Sequence, residues 1–101
     1  MEIVDIKKEK TISIDTGKAE VHIAYTTKIT VKIQGKEVEI VERLWKNLPL
    51  RYDTENAVKN LELIEYTMNE FENQMNEIIE KIKKTFTDLE QILEKYGYQV
   101  I

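Results

Sequence analysis

Acid–base chemistry near neutral pH is the natural province of histidine, and this chain has one, His22. Its neighbours in Glu20-Val21-His22-Ile23-Ala24 include no serine or threonine to serve as an activated nucleophile. The chain has no cysteine, which excludes a thiolate nucleophile, a disulfide framework and every Cys-ligated zinc or iron–sulfur site. A site built from several histidines is excluded with equal force. Carboxylates are abundant, but a face such as Glu62, Glu65, Glu72 and Glu80 is what any solvated helix presents. Gly17-Lys18 and Gly35-Lys36 stand as isolated pairs, which is turn chemistry and not a Gly-rich cradle for phosphate. The expectation is a protein without catalytic residues, cofactor or metal.

A second chemistry is phosphate binding by basic side chains. His22, Lys28 and Lys32 occupy even positions of an alternating segment, and Arg43 follows. One face of a strand carrying them could touch nucleic acid. Two observations weigh against it. The net charge is −4, whereas a phosphate-binding module has an excess of Lys and Arg. The even positions from 20 to 32 also hold no aromatic residue on which a base could stack. Nucleic acid therefore remains the alternative partner and not the leading one.

The elements that position these residues divide the chain in two. From Ala19 to Ile33 every odd position is apolar or β-branched, and the even ones are polar except Ala24. Strict period-two alternation describes a strand with one buried and one wet face. Asp15-Thr16-Gly17-Lys18 is a turn, with Gly17 supplying positive φ. Pairing Ile14 with Ala19 sets Ile12 opposite Val21, Ile6 opposite Thr27 and Val4 opposite Ile29. Lys8 and Lys10 then break the apolar face, and a bulge around 7–10 would accommodate them. Gln34-Gly35-Lys36-Glu37 is a hairpin turn that sets Ile33 opposite Val38 and Val31 opposite Ile40. After Ile40 the spacing of Val41, Leu44, Trp45 and Leu48 becomes helical, and a third strand reaching Glu42 would bury a charge. The third strand is therefore expected to end near Val41, followed by a short helix or tight turns over 41–48 closed by Pro49.

The second half, from Asp53 or Thr54 as N-cap, runs without Gly or Pro to Gly97. One helix over 53–96 is predicted, roughly 65 Å long, with Gly97 at C′. Ala57, Leu61, Ile64, Met68, Phe71, Met75, Ile78 and Ile82 alternate in steps of four and three, the period of a coiled-coil seam. Phe86, Leu89, Leu93 and Tyr96 continue it after one stutter. Such a helix overhangs a meander whose longest strand spans roughly 50 Å, so part of its stripe should meet a second copy. Met68 and Met75 make that seam adaptable.

These readings describe a single α+β domain. A three-stranded antiparallel meander (1–41) leads through a connector or short helix (42–52) to the long helix (53–96) and an apolar tail (97–101). The helix packs on one sheet face and extends into a dimer interface. The partner-facing residues expected are Trp45, Phe71, Met75, Phe86, Leu89, Leu93 and Tyr96. The function expected is that of a small interaction or assembly protein, a homodimer or larger oligomer with room for an unidentified protein partner. No leader or membrane span is evident, so the cytoplasm is the expected compartment, the host's if a virus encodes the chain. The Lys, Glu and Ile accent has a thermophile's character.

Overall fold

The computed structural model describes residues 1–50, 54–97, 99 and 101. Strands β1 (Glu2–Asp15), β2 (Glu20–Ile33) and β3 (Lys36–Pro49) precede one helix, α1 (Thr54–Tyr96). The strands form an antiparallel sheet in the order β1-β2-β3, with the helix packed on one face. The fold is therefore α+β, as the change of period from two to helical requires.

Alternation on β2 sets the layering. Val21, Ile23, Tyr25, Thr27, Ile29, Val31 and Ile33 all face the helix and are buried. Opposite them α1 contributes Thr67, Phe71, Met75, Ile79 and Ile82. The heptad seam predicts Met68 and Ile78 on this line, and both are only half-buried. Successive steps of four wind the contact obliquely around the helix, which lets it follow a sheet with right-handed twist.

Register differs from the expected one by two residues in both hairpins. Ile14 pairs with Val21, Ile12 with Ile23 and Ile6 with Ile29; Ile33 pairs with Lys36 and Val31 with Val38. A shift of two leaves each side chain on its predicted face. The first turn takes the four residues 16–19, and its positive φ falls on Ala19 (52°) and not on Gly17. The second turn is only Gln34-Gly35, with φ of 51° and 76°, the geometry of a type I′ hairpin.

Two further expectations need correction. The bulge lies between Ile3 and Asp5, displacing Val4, while β1 passes through 7–10 unbroken. No helix forms at 41–48: β3 continues to Pro49, which pairs with Glu20. Burial of Glu42 argues against extension in the sequence, yet Glu42 lies opposite Thr27, and Lys8 lies opposite Thr27 on the other side. The three make one wholly polar row across the inner face, so Glu42 meets no apolar cross-strand neighbour. The predicted cap Asp53 and tail residues Tyr98 and Val100 lie outside the described residues, as does the side chain of Ala57. Gly97 ends α1 at φ 71°, its amide donating to the Glu94 carbonyl at 3.4 Å, the C′ role expected of it.

Candidate functional site

Helix α1 lies over β2 and β3, which leaves the inner side of edge strand β1 uncovered along much of its length. Because β1 runs antiparallel to α1, Lys8 and Lys10 come beside the middle of the helix. Lys10 Nζ is 2.9 Å from Glu72 Oε2, and Lys8 Nζ is 3.7 Å from Oε1. Lys10 also stands over the Tyr25 ring, 5.2 Å from its centroid. The interruption of β1's apolar alternation is thus answered by a carboxylate from the helix.

Electrostatics follow from this cluster. The Lys10 ammonium first, then the Tyr25 hydroxyl, hold the Glu72 carboxyl below its ordinary range. Burial, with the Glu72 charge adding to it, pushes Tyr25 up to about 12. A tyrosine so displaced is a poor acid or base near neutrality. The Tyr25 hydroxyl feels Glu72, but no well-aligned hydrogen bond closes on it, and the buried hydroxyls of Thr27 and Thr67 likewise lack partners. The arrangement closes a gap between strand and helix electrostatically, and among the described residues no group of His, Asp or Glu is placed to hold a metal.

Beyond Lys10 toward the first turn, the uncovered strip becomes apolar. Ile12, Ile14, Leu50, Leu61 and Ile64, with Asn60, line an open groove of about 450 Å³. Ile14 and Leu61 expose 60% and 64% of their surface, and Val58 on the same stretch of helix is exposed as well. Asn60 is the one polar group in the wall, and its buried Nδ2 finds no acceptor.

Among the described residues, no element covers the outer sheet face. Cross-strand rows there include Thr11–Ala24–Trp45, Glu9–Thr26–Arg43 and Ser13–His22–Asn47. Trp45 is 64% exposed and borders a hollow of about 230 Å³ with His22, Arg43 and Asn47. Extension of β3 puts an aromatic on this face, which sequence reasoning missed by ending the strand early. His22 Nε2 lies 3.3 Å from Glu20 Oε2 and 4.0 Å from Asp15 Oδ2, and Lys28 lies 3.6 Å from Glu39. Lys32 pairs across to Glu2 and Glu37 on its two sides. Of the basic residues expected on one face, His22, Lys28, Lys32 and Arg43 do share it, interleaved with acids.

The expected partner-facing residues scatter. Phe71 and Met75 are consumed by the sheet, Phe86 and Leu93 pack partly against the core, and Leu89 and Tyr96 remain exposed beyond it. The groove residues Ile12, Ile14 and Asn60 were not anticipated. The signal was present in β1, where Ile12 and Ile14 face inward on a strand that one helix is too narrow to cover. Compared with known families, curated proteins and solved structures, the chain matches none.

Proposed function

We propose that this chain is a small non-enzymatic assembly protein that acts as a homodimer or larger oligomer. The uncovered apolar groove between β1 and α1, walled by Ile12, Ile14, Leu61 and Ile64, carries this reading. Contiguous apolar surface of this kind marks interaction sites in soluble proteins, and most soluble homo-oligomers are twofold dimers. The edge of β1 is a poorer route to assembly. Its bulge at Val4 and the inward-facing Lys8 and Lys10 are devices that discourage strand addition. Light scattering on a sizing column, over a wide concentration range, tests the reading. A mass of at least twice 12.0 kDa supports it, and a strict monomer refutes it.

Exposed Trp45 beside Arg43 favours a second reading, single-stranded nucleic acid on the outer sheet face, since stacking and phosphate contact would then be neighbours. Charge opposes it: that face carries Glu2, Asp5, Glu9, Asp15, Glu20, Glu37 and Glu39 against Lys7, Lys28, Lys32 and Arg43. Salt-sensitive retention on an oligonucleotide, abolished by Trp45→Ala or by Lys28→Glu with Lys32→Glu, would establish this reading. Absence of retention at low salt would dismiss it.

A further inference from the structure

The outer sheet face carries its charge in bands. Counted along the strands from the Thr11–Ala24–Trp45 row, the second row to one side is Lys7–Lys28–Val41, and the second row to the other is Asp15–Glu20–Pro49. One holds two cations and an apolar side chain, the other two anions and a proline. Between them, on either side of the Trp45 row, lie Glu9–Thr26–Arg43 and Ser13–His22–Asn47.

This order is self-complementary. A twofold axis laid along the Thr11–Ala24–Trp45 row, midway between two facing sheets, turns each row onto the row equally far to the other side. Lys7 and Lys28 of each copy then meet Asp15 and Glu20 of the other. Arg43 meets Asn47, Val41 meets Pro49, and the two Trp45 rings meet beside the axis. Every contact is made twice, as an isologous interface requires. The position of the axis is selective. One row toward Lys28 it would set Glu9 on Glu9 and Arg43 on Arg43, and one row toward Glu20 it would leave Lys7 and Lys28 with no acidic row opposite.

Contacts within the chain leave these groups available. Lys7 Nζ is 3.9 Å from Asp5 and Lys28 Nζ 3.6 Å from Glu39, both beyond hydrogen-bond reach. Their side chains remain 75% and 48% exposed. Val41 and Trp45, the large exposed hydrophobics of this face, both fall in matched rows. Five rows across three strands cover about 500 Å² on each copy, or about 1,000 Å² in all, where specific interfaces begin. Sheets packed face to face lie about 10 Å apart with strands inclined by about 30°, a gap that lysine side chains span.

We propose that the outer sheet face docks on the same face of a second copy, as a two-sheet sandwich about a twofold axis along the Thr11–Ala24–Trp45 row. This rests on the reading of the chain as a homo-oligomer and adds an interface apart from the groove. The acids that oppose nucleic acid on this face become the partners of its lysines.

Leu61→Glu is the starting variant, so that the groove takes no part, and circular dichroism checks its fold. Light scattering should find it at twice 12.0 kDa at high concentration. Emission from Trp45, the only tryptophan, should move to the blue as that dimer forms. Adding Lys28→Glu, or Glu20→Lys, should weaken the dimer about tenfold or more, because each reverses two symmetry-related contacts. An equimolar mixture of the two should dimerise again, since every reversed charge then meets its opposite. If Leu61→Glu is monomeric while wild type assembles, or its dimer ignores both charge reversals, this interface is overturned and the oligomer reading stands. Weakening without recovery on mixing overturns the placement of the axis. A wild-type monomer at every concentration overturns both, and one retained on an oligonucleotide through Trp45 gives the face to nucleic acid instead.

Discussion

Lys10 on the edge strand and Glu72 at the middle of the helix approach to 2.9 Å, and this contact ties β1 to a helix that otherwise leans on β2 and β3. Both side chains are partly exposed, so their coupling falls in the range of solvated pairs, about 0.5–1 kcal/mol in a double-mutant cycle of Lys10→Met and Glu72→Gln. The Glu72 carboxyl is held below its ordinary value, so its contribution is complete above the unfolded-state value and disappears as pH falls through the folded one. Glu72→Gln should therefore be less stable than wild type at neutral pH and lose the difference in acid. Urea midpoints measured across that range check it, and a constant difference would contradict the assignment.

Alkaline conditions act on Tyr25 with the opposite sign. Its folded value is about 12 against 10.0 for a free tyrosine, so the native state holds the phenol proton longer than the unfolded chain. The resulting stability is whole below pH 10 and drains away between 10 and 12. In a spectrophotometric titration Tyr25 should be the last tyrosine to ionise, after surface Tyr66, which its hydrogen bond to Glu70 also holds up, and Tyr25→Phe should remove that last, late step. If the late step persists in the variant, the burial argument is wrong.

Ala19 sits at φ 52°, where a Cβ costs about 1–2 kcal/mol, and its carbonyl accepts from the Leu50 amide at 2.8 Å. The turn thus holds both the β1–β2 hairpin and the exit from β3. Ala19→Gly relieves the strain and offsets part of the gain through a freer unfolded chain. The expected net is a stabilisation of about 0.5–1 kcal/mol, or a few degrees in Tm. A thermal melt showing destabilisation would mean that the side chain has a role beyond tolerating the turn.

How much of this was legible in the sequence depended on which physical signal each element carries. Alternation from Ala19 to Ile33 specified β2 and its faces, and the uninterrupted run to Gly97 specified α1 and its cap. Register was less legible, because Asp15-Thr16-Gly17-Lys18 and Gln34-Gly35-Lys36-Glu37 each admit more than one loop length, and a slip of two preserves every face. The segment Val41–Leu48 was misread because its apolar spacing fits both periods. What decided it was Thr27, the polar partner that makes Glu42 tolerable on the inner face and that only the paired sheet reveals. The same error hid Trp45, since its exposure depends on β3 reaching it. Lys8 and Lys10 looked like a defect in a strand because their partner, Glu72, comes from sixty residues later.

The seam residues divide into two groups that mutation separates. Phe71 is 7% exposed and Met75 fully buried, both pressed on the sheet. Phe71→Ala should cost about 3–5 kcal/mol and Met75→Ala about 2–5 kcal/mol, with the cavity adding to the lost transfer energy. Leu89 and Tyr96 stand beyond the core, so Leu89→Ala should stay within about 0.5 kcal/mol in dilute protein. The distinction governs how assembly is tested. A charge at Phe71 unfolds the protomer, and the dimer with it, whatever surface the dimer uses. A charge at Leu61 or Ile14 leaves the protomer's core untouched and, on the proposed oligomer reading, should act only on assembly. Denaturant curves at low and high protein concentration separate the groups: core substitutions should lower the midpoint at both, and groove substitutions should abolish the concentration dependence that the proposed assembly through the groove would give it.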